Sequence, residues 1–294
     1  MICTVLVNFK QTEKTNQCLQ ALESMSVQPD WVIVVDNSST EQSRSQLLSS
    51  QYQFKTDFIF NSENRGFAAA CNQGIRLVQS ANASYDIWLL NNDTIPEKDA
   101  LKELTLKARE TGAGVTGSAI YTPDGEFSGG AGKTHTLFAS VSRIRNPQDT
   151  DFDYIEGSSF LISHRCLEKT GLLSEDYFLY YEENDYCHRA VQNGFSLAVA
   201  PNSIIKHDIG SSTGSENGKG RTPFFVDCLM VRNRIAFAKK FRWSKPGYSV
   251  GLLISLLRRL KRGQFSRITA ICKITASPKQ FYRFVNENGR WIEP

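Results

Sequence analysis

Short apolar runs alternate with helical patterns over residues 1–110, and this alternation narrows the possible folds sharply. Each run is rich in apolar residues and is followed by a segment with apolar residues at helical spacing. The runs cover 2–7, 31–35, 58–60 and 86–90, and the helical segments cover 12–26, 41–50, 66–79 and 98–110. Short buried strands that alternate with helices are typical of a parallel sheet covered on both faces. The sequence therefore predicts an α/β fold with a mostly parallel central sheet.

After residue 111 the pattern of the amino-acid sequence changes twice. Glycine and turn residues are frequent from 112 to 155, which predicts short strands and loops with a hairpin over 121–127. Later strands are predicted at 160–162, 196–200 and 204–207, a helix beginning near Glu183, a polar loop over 209–222, and helices over 224–241 and 248–261. We therefore predict a main domain over 1–222, with halves 1–111 and 112–222, and a basic helical extension over 223–294.

Composition indicates a globular protein of a reducing compartment. Hydrophobic residues make up 40% of the chain and charged residues 22%, so a packed core is expected. The seven cysteines are scattered without a CxxC pair, which argues against a disulfide framework or a zinc site. The chain begins with a strand-like run in place of a secretory signal, and no apolar run reaches the roughly 20 residues that span a bilayer. We expect a cytoplasmic protein.

Positive charge is concentrated in the C-terminal part, although the net charge is only +4. Residues 232–273 are rich in Lys and Arg, and 250–262 combine an apolar face with basic side chains. Such a pattern is typical of a helix that lies on an anionic membrane surface, here through 248–262. The alternative is a helix packed on the core with a solvated basic end. Nucleic acid is not expected as a partner, because no binding-module signature is present.

Three of the predicted strands end in polar clusters. Asn8 follows the first, Asp36-Asn37 the second, and Asn91-Asn92-Asp93 the fourth. In open α/β sheets, ligands bind at the carboxyl ends of the parallel strands. Asp36 is suited to accept from a pyrimidine N–H or a ribose hydroxyl. Alternatively it caps the helix at 41–50, for which 38–40 supply equal candidates.

Asp93 is the best candidate for a metal ligand, since Mg²⁺ and Mn²⁺ prefer oxygen ligands and retain phosphate or water in their shells. The alternative is that Asp93 only ends a strand in a turn with Pro96. Asn64 and Gly66 open the next helix, where backbone can approach an anionic ligand, although Asn64 is also a plausible cap. The absence of GxGxxG and GxxxxGK[ST] argues against a dinucleotide fold or a P-loop.

The second half holds an acidic cluster and one notable histidine. Glu182, Glu183 and Asp185 follow two tyrosines, and partly buried neighbouring carboxylates raise each other's pKa, as suits a general base. The alternative is an acidic helix start stabilised by the helix dipole. His207 ends an apolar run and is suited to ligate a metal, although a lone histidine is more often structural.

Taken together, the motifs resemble family 2 glycosyltransferases with a GT-A fold, especially their bacterial rhamnosyltransferase-like branch. The resemblance covers residues 1–240 and keeps the family's motif order. The matching stretches are VLVNFK (5–10), VIVVDNSS (32–39), NRGFAAACNQG (64–74), IWLLNNDTIP (87–96), the run from 153 to 195 that contains YYEENDY, and IIKHDIGSS (204–212).

The resemblance implies an inverting, metal-dependent transfer of a sugar from a nucleoside diphosphate donor, with Mg²⁺ or Mn²⁺ as cofactor. It makes 1–111 the nucleotide-binding half and 112–222 the acceptor-binding half. Asp93 and His207 would bind the metal, and Asn91-Asn92-Asp93 would replace the family's Asp-x-Asp motif. The donor-binding residues would be Asn8, Asp36, Asn64, Gly66, Asn91 and Asn92.

Glu183 is the base that the resemblance implies, in a position where relatives usually have Asp, and Glu182 and Asp185 remain alternatives. Gly157 and Ser158 would shape the acceptor pocket. The branch suggests L-rhamnose from dTDP-rhamnose, with a UDP-hexose as the alternative. The acceptor would be a glycan or lipid-linked glycan, with the enzyme peripheral at the inner face of the cytoplasmic membrane.

Two other functions compete with this interpretation. A nucleotidyltransferase would have a Gly-rich, basic phosphate loop after the first strand, whereas here that strand continues into NFKQT (8–12). A non-catalytic glycan-binding protein would have lost Asp93 or the acidic cluster, and both are present.

Overall fold

The computed structural model describes residues 1–81, 83–135, 140–207, 223–242 and 245–276. Within these residues the chain forms twelve strands and nine helices. The strands are β1 (Ile2–Asn8), β2 (Trp31–Asn37), β3 (Lys55–Asn61), β4 (Asp86–Asn91), β5 (Thr94–Pro96), β6 (Val115–Tyr121), β7 (Phe127–Gly129), β8 (Ala131–His135), β9 (Ser140–Arg143), β10 (Tyr154–Ile155), β11 (Ser159–Ile162) and β12 (Leu197–His207). The helices are α1 (Thr12–Glu23), α2 (Glu41–Leu48), α3 (Phe67–Ser80), α4 (Ala100–Thr111), α5 (His164–Thr170), α6 (Glu182–Gln192), α7 (Phe224–Lys240), α8 (Lys245–Lys261) and α9 (Phe265–Ala276).

The central sheet has the strand order β3-β2-β1-β4-β11-β6-β12-β5, with β7 paired to β6. The first four strands are parallel, and β12 is parallel to β6. Strand β11 runs antiparallel to both of its neighbours, and the short β5 is antiparallel to β12. The prediction of an α/β fold with a mostly parallel sheet is confirmed. The polar ends of β1, β2 and β4 consequently lie on one edge of the sheet.

Both faces of the sheet are covered by helices, because alternate residues of the buried strands face opposite sides. In β1, Val5 and Val7 belong to a core with α3 and α6, whereas Leu6 belongs to a second core with α1 and α4. Strand β2 divides in the same way, with Ile33 in the first core and Val34 in the second. Burial on both faces explains why these strands are continuously apolar.

The middle of the chain forms the predicted hairpin and a small separate sheet. Strands β6 and β7 pair with Tyr121 opposite Phe127, as the turn residues predicted. Strands β10, β8 and β9 form an antiparallel three-stranded sheet. The segments predicted as two strands at 196–200 and 204–207 are one strand, β12, with a register shift between Ala200 and Ile204.

The C-terminal helices α7 to α9 form the predicted helical extension and pack on the main body. Phe225, Val226 and Leu229 of α7 share a core with α9 and with aromatic side chains of the segment 178–180. Helix α9 was not predicted from the sequence. None of the helices in these described stretches is long and apolar enough to cross a membrane. The predicted loop over 209–222 lies outside the described residues, and the domain division at 222 stays a prediction.

Candidate active site

Polar side chains of three parallel strands meet at the carboxyl edge of the sheet. Asn8 is paired with Asp36 in the register of β1 and β2, and Asn91 ends the adjacent β4. Nδ2 of Asn8 donates to Oδ1 of Asp36 at 2.8 Å, and Nδ2 of Asn92 approaches Oδ1 of Asn8 at 3.5 Å. The strand ends therefore lie together, as the sequence predicted, and they form one hydrogen-bonded cluster.

Asp36 is almost completely buried beneath this edge. Its second oxygen, Oδ2, accepts from Oγ of Ser43 at 2.6 Å. Thr40 is the N-cap of α2, and Ser43 completes a reciprocal capping box with it. Asp36 is therefore not the cap, but it holds the capping residue in place. A carboxylate has about four acceptor positions, so both oxygens can still accept from a ligand.

Asn37 organises the loop that precedes α3. Its Nδ2 donates to Oδ1 of Asn64 at 2.8 Å and to the carbonyl of Gly66 at 3.2 Å. Its Oδ1 accepts from Nδ2 of Asn61 at 3.1 Å and from the backbone N–H of Arg65 at 3.0 Å. All four polar positions of one buried amide are used, which fixes Asn64 and Gly66 at the sheet edge. The sequence interpretation named Asn37 beside Asp36 but gave it no role.

Gly66 has a second structural role besides flexibility at a helix start. Its φ of 87° lies in the region that favours glycine, and a Cβ there would lie 2.6 Å from the carbonyl oxygen of Phe178. The same carbonyl accepts from the N–H of Phe67 at 2.7 Å. Gly66 thus allows the segment before α6 to approach the first turn of α3. This packing explains the glycine independently of any ligand.

Asp93 and His207 form the candidate metal pair. Oδ1 of Asp93 lies 3.1 Å from Nε2 of His207, which ends β12 opposite Thr94 of β5. The Asp93 side chain is nearly buried and that of His207 is 12% exposed. Carboxylate and imidazole are suitable ligands for Mn²⁺, and the carboxylate suits Mg²⁺. No group of three or more His, Cys, Asp or Glu side chains that could hold a metal occurs among the described residues.

Glu182 and Glu183 begin α6. Glu182 is buried, whereas Glu183 is partly exposed as a residue but has a buried Oε2. Burial raises the pKa of Glu183 to about 7. A hydrogen bond from its own backbone opposes this rise, and the negative charge of Glu156 adds to it. Burial and the neighbouring Glu183 also raise the pKa of Glu182. Oε2 of each has no hydrogen-bond partner among the residues the structure describes. A buried carboxylate with an unused acceptor and a pKa near neutrality is suited to accept a proton.

Asp185, the third acid of the cluster, has a different environment. Its carboxylate accepts from Nε of Arg189 at 2.7 Å and from the Tyr177 hydroxyl at 3.2 Å, and lies 2.5 Å from Nζ of Lys240. These contacts connect α6 to α7 and to the segment before α6. The geometry gives Asp185 a structural role, and it favours the glutamates as the proton acceptor.

Glu156 is a further carboxylate in the site, and the sequence interpretation missed it. Its Oε1 lies 2.6 Å from Nε of Arg143, and burial raises its pKa while Arg143 and then His207 lower it. The charge of Glu156 acts on Glu183 as well, so this carboxylate connects the metal pair with the acidic cluster electrostatically. Its position directly before Gly157 was the available signal.

The predicted acceptor residues lie next to the acidic cluster and the sheet edge. A Cβ on Gly157 would lie 3.9 Å from Cβ of Glu183, which places this backbone close to the candidate base. The carbonyl of Ser158 accepts from the N–H of Asn91 at 3.1 Å. The buried Ser158 hydroxyl has no hydrogen-bond partner among the described side chains and backbone groups. The structure thus brings Gly157 and Ser158 between the two clusters.

The backbone before Glu182 is strained. Tyr180 and Tyr181 have φ values of 70° and 77°, a left-handed conformation that costs non-glycine residues roughly 1–3 kcal/mol each. Nδ2 of Asn233, from α7, donates to the carbonyls of Leu179 and Tyr180, both at 2.8 Å. Asn233 is fully buried. The C-terminal extension therefore holds the turn that aims the first residues of α6, which the local sequence did not indicate.

Comparison with known proteins supports the family resemblance. The family model "Glycosyl transferase family 2" matches residues 4–172. The hexosyltransferase Agl10 of Haloferax volcanii, of low-salt glycan biosynthesis, is 24% identical over 199 residues, covering 66% of this chain and 62% of Agl10. The dTDP-rhamnosyl transferase RfbF of Shigella flexneri is 22% identical over 221 residues, covering 72% and 70%. The chain thus spans about six-tenths of Agl10.

Solved structures share the fold at low sequence identity. The mannosyltransferase PcManGT of Pyrobaculum calidifontis, solved with GDP-Man and Mn²⁺, has a TM-score of 0.57 at 14% identity, covering 94% of this chain and 75% of its own. TarS 1–349 of S. aureus has a TM-score of 0.54 at 13% identity, covering 95% and 92%. GalNAc-T7, solved with UDP, GalNAc and Mn²⁺, has a TM-score of 0.59 at 14% identity, covering 81% and 48%.

The fold is therefore GT-A, as the resemblance implied. The family model covers more than half of the 294 residues and supports the glycosyltransferase family over the nucleotidyltransferase alternative. This chain belongs to glycosyl transferase family 2.

Proposed function

We propose that this enzyme transfers a sugar from a nucleoside diphosphate donor to an acceptor hydroxyl with inversion at the anomeric carbon. The observation that carries the proposal is the Glu183 carboxylate, whose buried Oε2 has no partner in the described part of the chain and whose pKa is raised to about 7. Glu156 couples this carboxylate electrostatically to His207 and so to the Asp93 pair. Glycosyl transfer needs a proton acceptor near the acceptor hydroxyl and a stabilising site near the donor phosphates, and Glu183 and the Asp93–His207 pair are suited to these two roles.

On the donor side, we assign the nucleotide to the edge formed by β1, β2 and β4. Asp36 would accept from the base, and Asn8 and Asn92 would complete the cluster beneath it. Asn64 and Gly66 would contribute backbone and amide groups from the loop before α3, and Asn91 would border the diphosphate. The hydrogen bonds between Asn8 and Asp36 and between Asn37 and Asn64 support preorganised binding, because they fix these groups before a ligand arrives.

Asp93 and His207 would hold Mg²⁺ or Mn²⁺ together with the donor phosphates. A divalent cation held there would neutralise the negative charge that develops on the leaving nucleoside diphosphate. The Mn²⁺ in the structures of PcManGT and GalNAc-T7 supports a divalent cofactor for this fold. The protein supplies an acid and an imidazole 3.1 Å apart at the carboxyl end of the sheet.

Glu183 would accept the proton of the acceptor hydroxyl as its oxygen attacks the anomeric carbon from the face opposite the diphosphate. Its raised pKa makes it a stronger base than an exposed carboxylate, and it is ionised in an appreciable fraction at neutral pH. Gly157 would leave room beside it for the acceptor, and Ser158 would orient the acceptor through its unused hydroxyl.

We further propose L-rhamnose from dTDP-rhamnose as the donor sugar, supported by the similarity to RfbF. A UDP-hexose is the alternative, supported by the hexosyltransferase Agl10 and by a structure of TarS with UDP-GlcNAc. The acceptor would be a cell-surface glycan precursor, including a lipid-linked one. The enzyme would then act in the cytoplasm at the inner face of the membrane.

A donor screen tests the proposal. Purified protein is incubated with dTDP-rhamnose, UDP-glucose, UDP-GlcNAc and GDP-mannose, with Mn²⁺, with Mg²⁺ or with EDTA, and release of nucleoside diphosphate is measured. One donor should be hydrolysed slowly in a metal-dependent manner, and Asp93→Ala should abolish the reaction. Glu110→Gln, an exposed acid on α4, is the control and should retain it. Equal hydrolysis in EDTA would contradict the metal assignment.

A further inference from the structure

Helix α8 (Lys245–Lys261) has one face packed on the protein. Leu252 and Leu256 pack against Ile271 of α9 and against Val231 and Ile235 of α7. The expectation that the terminal helix packs on the core is thus met on this face, and α8 has a defined orientation on α7 and α9.

The opposite face of α8 carries an exposed apolar stripe. Val250, Leu253, Leu257 and Leu260 are 41%, 56%, 54% and 53% exposed. Their spacing of three, four and three residues places all four on one side of the helix. Single exposed leucines are normal on protein surfaces, but four along one helical face form a contiguous patch, which commonly marks an interaction site.

Basic residues border the stripe. Arg258 and Lys261 lie within about 80° of Val250 on the helical wheel, and Arg262 follows the end of the helix; all three are exposed. Arg259 points the other way and, together with Arg267 of α9, binds Asp227 of α7.

The surrounding sequence contains no acidic residues that would offset this positive charge. No Asp or Glu occurs between Asp227 and Glu287, so neither α8 nor α9 contains a carboxylate. The exposed face of α8 is consequently apolar and cationic at once.

We propose that the exposed face of α8 binds the surface of an anionic phospholipid bilayer. The apolar stripe would enter the boundary between headgroups and acyl chains, and Arg258, Lys261 and Arg262 would contact lipid phosphates. A nucleic acid would engage the cations but leave the four apolar side chains in water. A second copy of this face would bring like charges together. The inference is independent of the donor, the metal and the transferred sugar.

The test is flotation of the full chain with vesicles of phosphatidylcholine alone or with 30% phosphatidylglycerol, at 50 mM and 500 mM NaCl. At 50 mM NaCl the wild type should bind the anionic vesicles at least tenfold more strongly than the vesicles of phosphatidylcholine alone. It should lose most of this preference at 500 mM NaCl. Leu253→Glu/Leu257→Glu should weaken binding at least tenfold. Arg258→Glu/Lys261→Glu should weaken it by more than about 25-fold at low salt, since each basic residue contributes about fivefold.

Helix α4 offers matched controls. Leu106 is a similarly exposed leucine, and Lys102 and Arg109 are exposed basic residues of the same helix. Leu106→Glu and Lys102→Glu/Arg109→Glu should bind vesicles as the wild type does. All variants are compared at equal far-UV circular dichroism and melting temperature.

Three results would overturn the proposal. The first is a wild type that does not float with anionic vesicles at low salt, and the second is undiminished binding by the stripe variant. The third is a dimer, seen by sedimentation, that the stripe variant dissociates while vesicle binding is absent, since the stripe would then join two copies of the chain.

Discussion

Replacing Asn233 by Leu tests how the C-terminal extension controls the acidic cluster. The change keeps the branched heavy-atom skeleton of this fully buried side chain but removes both N–H donors, together with the Oδ1 that accepts from Arg232. Each donor now bonds a backbone carbonyl, that of Leu179 or Tyr180, at 2.8 Å. The carbonyl of Leu179 precedes the strained Tyr180 and that of Tyr180 precedes the strained Tyr181, so loss of these hydrogen bonds affects the turn directly.

The magnitude follows from the two lost bonds. A buried polar group left without its partner costs about 1–3 kcal/mol, so two carbonyls give a loss of about 2–6 kcal/mol in the free energy of unfolding. The strain of the left-handed tyrosines, roughly 1–3 kcal/mol each, then favours relaxation of the turn and displacement of Glu183. Urea unfolding followed by circular dichroism measures the first effect, and the pH dependence of donor turnover measures the second.

Two further variants separate positioning from general destabilisation. Met230→Ala, at an exposed position of α7, should change neither stability nor turnover appreciably. Asn233→Gln retains the donors and should recover part of the stability and of the native pH profile. A loss of less than about 0.5 kcal/mol in Asn233→Leu, or an unchanged pH profile despite a large loss, would refute the reasoning.

Three other predictions concern the same site. Gly66→Ala should destabilise the fold by about 2–4 kcal/mol in urea unfolding, because its Cβ meets the Phe178 carbonyl at a positive φ, whereas Gly112→Ala, with open space around it, should cost about 1–2. Arg143→Ala removes the cation that lowers the pKa of Glu183, so the acid limb of the pH–turnover profile should move to higher pH. The pKa of Glu183 is raised from the ordinary 4.5 to about 7 in the folded protein, so protonation of Glu183 favours the folded state. This contribution to stability is complete below pH 4.5 and is lost as the pH rises through about 7. Glu183→Gln should therefore melt above the wild type at pH 7.5 and approach it at pH 4.5; equal melting temperatures at pH 7.5 would contradict the raised pKa.

The sequence predicted the parts of the site that depend on strand position. Apolar runs that end in Asn8, Asp36 or Asn91 specify both a buried strand and a polar terminus. Parallel register then brings these termini to one edge without further information. The candidate metal pair follows the same logic, because His207 ends β12 and lies beside the β5 segment that begins after Asp93.

The remaining parts depend on tertiary contacts that local patterns do not encode. Arg143 reaches Glu156 from a separate small sheet, and no spacing rule connects these two positions. The left-handed tyrosines are disfavoured by their own residue type, and the bonds from Asn233 that hold them come from a helix more than 50 residues later. Glu183 was identified by its motif, but its raised pKa comes mainly from burial, which the sequence did not show.

The role of Glu183 is tested most directly by the turnover of Glu183→Gln with the donor found in the screen, measured beside donor affinity. The substitution keeps the size of the side chain and removes only its capacity to accept a proton. We expect a fall in kcat of about 10²–10⁴-fold with donor Kd unchanged within about twofold. A variant that retains kcat within about threefold of the wild type would show that another group accepts the proton.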